Sequence, residues 1–263
     1  MAHWLRFERN RTTAFGILSG EVIAVHLGSM FEAPMPSGEH VMLNSVRLLA
    51  PTQPSKMIAL WNNFRALGVK LGLSELKEPL FFIKAASSYV DPDATIYKPA
   101  DYTGTVVFEG ELAIVIGTTC HNASLDEAKT AIFGYTCVND VTATDILHED
   151  PSFAQWTRAK SFDGFSPFGP VIATGLQPEE LVVRTVLNGT ERQNYPVSDM
   201  IFSTTALVSL LSRSMTLTPG DIICCGTSLG VGAMREPSNT VEVIVDGIGT
   251  LRNYYRTSDR GGI

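Results

Sequence analysis

Hydrophobic and polar positions alternate in short runs along most of the chain, the period-two signature of strands. Residues 1 to about 50 hold several such pieces, with Gly20 turning ILSGEVIAVHLG and Gly38 closing the proline-rich APMPSG, which predicts a small β-rich N-terminal unit. The segment LLAPTQPSK, with Pro51 and Pro54, interrupts regular structure and reads as a linker. Beyond it MIALW has the pattern of a buried strand, and Phe64, Leu67 and Leu71 repeat at helical spacing. FFIKAASSYV reads as a strand entering a serine-rich turn, and TVVFEGELAIVIG is the most strand-like run of all. SLDEAKTAI, from Ser124 to Ile132, has an N-cap serine followed by acidic residues, a helix start. FGYTCVND, FGPVIATG, VVRTVLNG and TVEVIVDGIGTLRNYY predict further strands. Met200, Ile201, Leu207, Val208 and Leu211 form one helical stripe that stops before TPGD. Many short strands with few helices favour a mixed or mostly antiparallel sheet over βαβ repeats, an α+β class.

At 263 residues, 44 % hydrophobic and 18 % charged, the chain can bury a full core as one large domain or a small domain leading into a larger one. Its 20 lysine and arginine residues against 27 aspartate and glutamate give a net charge of −7 without a polybasic run. Nucleic acid and anionic membranes are therefore disfavoured as partners. The start, MAHWLRFERN, lacks an apolar signal core, and no stretch approaches the roughly 20 apolar residues that span a bilayer. A cytoplasmic protein is expected. Cys120, Cys137, Cys224 and Cys225 show no C-x-x-C spacing, so they read as buried strand residues rather than zinc ligands or a disulfide framework.

The chemistry concentrates in a few places. Glu109 and Glu111 stand two apart in the most strand-like run, so on one strand both carboxylates share a face while Val106, Phe108, Leu112, Ile114 and Ile116 occupy the other. Either a cation holds them there, or this part of the strand frays into solvent. Asp140 closes GYTCVND, and three carboxylates make a hard oxygen shell suited to Mg²⁺, Mn²⁺ or Ca²⁺. Asn139 is placed to bond nearby backbone, whereas Asp145, His148, Glu149 and Asp150 read as a solvated turn. Lys160, in the ordered loop RAKSFDGFSPFGP, either stabilises an anion or caps a chain end in water. The loop GTSLGVG offers backbone N–H groups and the Thr227 hydroxyl but lacks the ending of a P-loop. The five histidines have no metal spacing, and no serine sits in G-x-S-x-G.

Taken in order, VRLLAP, EGELAIVIG, GYTCVNDVTATD, WTRAKSFDGFSPFGP, SRSMTLTPGDII, GTSLGVG and DGIGTLRN resemble the fumarylacetoacetate hydrolase superfamily over nearly the whole chain. The resemblance implies a mixed β-sheet roll as catalytic domain, over residues 53–263, a small β-rich N-terminal subdomain, over 1–52, and usually a homodimer. It implies a Mg²⁺-type cofactor and a small 2-oxo acid or 1,3-dicarbonyl substrate, typically in the degradation of aromatic compounds. The family's E-x-E metal pair falls on Glu109 and Glu111, and its aspartate ligand on Asp140. The lysine of its K-S-F-D motif falls on Lys160, which would stabilise charge on the substrate. The threonine of its G-T-P loop falls on Thr227, placed to hold a substrate carboxylate or carbonyl, with Ser228 in place of the proline.

The departures lie on the water-activating side. The lid histidine and glutamate of H-x-x-E align with Leu67 and Lys70, and the A-R-D-x-Q motif reads Ala143, Thr144, Asp145, Ile146, Leu147. The expected enzyme is thus metal-dependent and enolate-forming, its reaction a C–C hydrolysis, decarboxylation or isomerisation, with His148, Glu149 or Lys70 as alternative bases. The competing expectations are a catalytically silent paralogue that binds a metabolite or partner and, more remotely, a structural calcium site.

Overall fold

The computed structural model describes residues 1–257, and among them twenty strands accompany four α-helices. The main sheet has twelve strands. From one edge ten of them run Glu32–Met42, Val22–Ser29, Thr12–Ser19, His3–Arg9, Ser166–Ala173, Ile132–Asn139, Gly110–Ile116, Ile222–Cys224, Met57–Trp61, Leu80–Lys84, while Arg47–Leu49 pairs with His3–Arg9 and Tyr89–Val90 with Ser166–Ala173 off this path. Antiparallel pairing dominates, but Ile222–Cys224 runs parallel to Met57–Trp61, so the sheet is mixed. The N-terminal strands do not form a sheet of their own. They extend the main one through His3 opposite Ala173 and Trp4 opposite Ile172.

Gly110–Ile116 is buried at every position, which is why its sequence is apolar on both faces rather than alternating. Leu112, Ile114 and Ile116 pack into the largest core. That core also takes Leu207, Val208 and Leu211 from the Thr204–Ser214 helix and Val183, Val243, Val245 and Leu251 from a second, five-stranded sheet. Ala113 and Val115 face the other way, onto Ile222, Cys224, Met57 and Ala59. Each such buried aliphatic side chain contributes roughly 1.5–3 kcal/mol, so this strand is a fixed platform for whatever its N-terminal end carries. The Leu125–Ala131 helix starts as its sequence predicts, with Ser124 and Glu127 bonding reciprocally in a capping box.

Several local expectations are corrected. The run TVVFEGELAIVIG is two strands: Val106–Phe108 pairs with Thr142–Ala143 and Gly232–Ala233 in a small third sheet, and the chain crosses to the main sheet at Glu109. Val106 and Phe108 therefore belong to a different core from Leu112, Ile114 and Ile116. Met200 and Ile201 precede the helix, which starts after Ser203 caps it; Met200 instead bridges to Phe64. Residues of APMPSG lie within the irregular Glu32–Met42 strand, which absorbs them by two register shifts. Lys160 ends a short helix, Trp156–Lys160, rather than lying in a loop. Among the described residues no helix is long and apolar enough to cross a membrane.

Candidate active site

Glu109, Glu111 and Asp140 come together because three backbone paths meet where the chain changes sheets. The Glu109 N–H donates to Asn139 Oδ1 at 2.9 Å, and the Asp140 N–H donates to the Glu109 carbonyl at 2.8 Å. These two bonds lock the turn after Ile132–Asn139 against the crossing point. Glu111 sits two residues beyond Glu109, opposite Val138 in register, at the end of the buried face formed by Ala113 and Val115. One oxygen from each carboxylate lies within 4.8 Å of the others. Neither glutamate is frayed into solvent: Glu111 is fully buried, and the Glu109 side chain keeps 16 % exposure.

Two lysines enter this acidic cluster. Lys160 donates to Glu109 Oε2 at 2.9 Å, to Asp140 Oδ2 at 2.7 Å and to the Thr142 hydroxyl at 2.6 Å. Lys84, which closes its strand, donates to Asp140 Oδ1 and to the Phe165 carbonyl. Thr142 in turn donates to Glu109 Oε1 at 2.9 Å. Burial opposes the charge on Lys160, but Asp140 and Glu109 overcome it and raise its pKa, so the ammonium stays protonated. Burial pushes Asp140 upward too, yet Lys160 and Lys84 hold it below the usual carboxylate range.

Glu111 is different. Its Oε2 accepts the Gly226 N–H at 2.8 Å, while Oε1 is buried with no partner among the described residues. Burial first, then Asp140 and Glu109, raise its pKa well above the normal value. A buried carboxylate oxygen with no donor costs several kcal/mol unless a cation or proton reaches it. Three hard oxygen donors, one of them orphaned, fit a divalent ion of the Mg²⁺, Mn²⁺ or Ca²⁺ type.

A neutral clamp supports this centre. Gln193 Oε1 accepts the Gly110 N–H and the Thr185 hydroxyl, each at 2.9 Å, and its Nε2 donates to Thr227 Oγ1 at 2.9 Å. Thr227 donates to the Gly110 carbonyl at 3.1 Å. The Thr227 hydroxyl is thus tied to the strand that carries Glu111. Gly110 is required there, since a Cβ would overlap the Thr185 hydroxyl.

The structure does not gather the alternative bases. Leu67 packs against the main core and Lys70 is exposed on the Arg65–Leu71 helix. His148 is exposed, and Glu149 is exposed and paired with Arg158 at 2.5 Å. Sequence reasoning missed Lys84, Thr142 and Gln193. A lysine inside the apolar run FFIKAA was the available signal for the first; a neutral amide in TERQNYP carried none.

A family model described as fumarylacetoacetate (FAA) hydrolase C-terminal matches residues 56–255, and one described as Rv2993c-like, N-terminal, matches residues 2–51. Protein Rv2993c of Mycobacterium tuberculosis is 41 % identical over 226 residues, 85 % of this chain and 83 % of that protein. Oxaloacetate tautomerase YisK of Bacillus subtilis is 35 % identical over 255 residues, 90 % of this chain and 84 % of its own. The crystal structure of 2-hydroxyhepta-2,4-diene-1,7-dioate isomerase from Mycobacterium marinum is 36 % identical and superposes with a TM-score of 0.89, covering 100 % of both chains.

Proposed function

Because the chain belongs to the fumarylacetoacetate hydrolase family, we propose that it is a divalent-metal-dependent enzyme that tautomerises or isomerises a small 2-oxo acid or 1,3-dicarbonyl compound through an enolate. The observation that carries this reading is that Glu109, Glu111 and Asp140 converge, whereas on the Arg65–Leu71 helix Leu67 packs against the core and Lys70 is exposed. Hydrolysis needs an activated water, and loss of a general base costs roughly 10²–10⁴-fold. A proton shift between carbon and oxygen needs no nucleophilic water.

A divalent ion bound by the three carboxylates would supply Lewis-acid polarisation of the two substrate oxygens. Lys160, held on three acceptors and protonated, adds fixed positive charge where the oxyanion develops; it acts as a charge and not as a base. In the step itself the C–H bonding pair becomes the C=C pair of the enol. The carbon proton leaves to water and the oxygen takes one up, so keto and enol forms keep one composition. Tautomerase and isomerase activities are named for two relatives, which supports a proton shift as the reaction. The family's usual setting supports a role in the breakdown of aromatic compounds.

The test is the ultraviolet-monitored enol-to-keto conversion of oxaloacetate by EDTA-stripped protein, with Mg²⁺ or Mn²⁺ restored. Metal-dependent acceleration that disappears in Glu111→Gln is expected. Equal rates with and without metal would overturn the reading, and metal-dependent binding of oxalate without turnover on any oxo acid would make this a binding site.

A further inference from the structure

We propose that Trp61, Phe82 and Trp156 form the specificity wall of this site, and that the wall selects oxo acids or 1,3-dicarbonyl compounds bearing an aryl or similarly flat apolar substituent. The inference rests on the functional reading above and names its substrate class.

The three rings come from three separate elements: the end of Met57–Trp61, the middle of Leu80–Lys84 and the start of Trp156–Lys160. Phe82 and Trp156 lie nearly parallel, 20° apart with centroids at 5.6 Å, and Trp61 meets Trp156 at 4.8 Å. The Phe82 centroid is 5.7 Å from Lys160 Nζ, the ammonium that also holds Glu109 and Asp140. The wall therefore begins beside the polar centre and runs away from it. All three rings are only partly buried, although Met57 to Leu60, the residues that lead up to Trp61, are buried. Partly exposed aromatic rings assembled next to a charged centre offer a stacking surface for one end of a ligand whose other end is chelated.

The neighbouring cations point the same way. Lys160 and Lys84 are spent on the acidic cluster, and Arg158, on the same helix as Trp156, is paired with Glu149. Thr144, where the resemblance places an anion-binding arginine, accepts no such role and donates to the Thr105 carbonyl at 3.2 Å. A second carboxylate on the substrate would thus meet flat apolar rings, whereas an aryl group would stack on them.

The experiment compares kcat/KM for enol-to-keto conversion of phenylpyruvate and of oxaloacetate by Mn²⁺-loaded protein, as wild type, Trp156→Ala, Trp156→Phe and Trp61→Leu. The wild type is expected to favour phenylpyruvate by about tenfold or more, the ratio to fall about tenfold in Trp156→Ala, and Trp156→Phe to restore most of it. A wild-type preference for oxaloacetate, or a loss in Trp156→Ala of equal size on both substrates, would overturn the proposal. Quenching of tryptophan fluorescence in wild-type Mn²⁺-loaded protein gives a second measure, with phenylpyruvate expected to bind about tenfold tighter than oxaloacetate. If neither compound is turned over, the functional reading fails while the quenching still decides the wall; equal or weaker phenylpyruvate binding overturns it.

Discussion

Lys84 and Asp140 form an ion pair with both side chains out of water, 0 % and 1 % exposed, joining the last residue of an edge strand to the residue that follows a central one. Asp140 faces Lys84 with one oxygen and Lys160 with the other, so its plane is set by two ammonium groups. Removing one partner of a buried pair leaves an uncompensated charge. Breaking such a pair costs about 3–5 kcal/mol, and Lys84→Met is expected to cost about 3 kcal/mol, the lower end, because Lys160 remains. Urea unfolding of the metal-free protein checks this, and Lys84→Met combined with Asp140→Asn should cost less than the two single changes added.

Glu111 gives a prediction of opposite sign. Its Oε1, buried without a partner among the described residues, is a burden to metal-free protein and, on the proposed reading, would be a ligand in metal-loaded protein. Glu111→Gln keeps an acceptor for the Gly226 N–H and removes the ionisable group. The metal-free variant is expected to be as stable as the wild type or more so, by about 1 kcal/mol, and no longer to gain stability from added Mn²⁺. Thermal unfolding with and without metal decides it; a metal-induced rise in Tm equal to that of the wild type would remove Glu111 from the ligand set.

The contrast between these residues explains what the sequence made legible. Glu109, Glu111 and Asp140 stood out because carboxylates in or closing apolar runs are costly and need a reason. Lys84 did not, because a single lysine closing a strand has an ordinary reading as a solvated end. The break at Glu109 was invisible for a physical reason: apolar residues continue on both sides of it, and local pattern carries no information about which sheet each half joins. Met200 and Ile201 kept helical spacing with the stripe that follows, but Ser203 caps the helix after them and long-range pairing to Phe64 claims Met200.

Asp221 predicts the acid limb of stability. Its carboxylate is fully buried, accepts from Ser55 Oγ at 2.7 Å, the Lys56 N–H at 3.1 Å and the Thr218 N–H at 2.8 Å, and pairs with Lys56 Nζ at 2.5 Å. Burial alone would raise its pKa, but Lys56, Ser55 and Thr218 bring it below the ordinary 3.8. A depressed folded pKa gives stability that is fully present above the unfolded value and is lost as pH falls through the folded one. The contribution should therefore begin to fall near pH 4 and be lost progressively below it. Asp221→Asn is expected to cost about 3 kcal/mol at pH 7 and to flatten the decline of stability at acid pH, measured by urea midpoints across pH 3–7.

Gln193 ties the strand that carries Glu111 to the loop that carries Thr227, and its two ends test separately. Its oxygen satisfies the buried Gly110 N–H, and its amide nitrogen donates to Thr227. Gln193→Leu removes both and leaves a buried donor unpaired, at an expected cost of about 2 kcal/mol. Gln193→Glu keeps the acceptor for Gly110 but brings a negative charge towards Glu109 and Glu111 and loses the donor to Thr227, so it should be worse than leucine despite being isosteric. Hydrogen exchange separates the two effects. The Gly110 amide should lose protection in the leucine variant and retain more of it in the glutamate variant, while KM for the oxo acid rises in both through release of the Thr227 loop. Unchanged Gly110 protection in Gln193→Leu would show that this bond does not hold the strand in place.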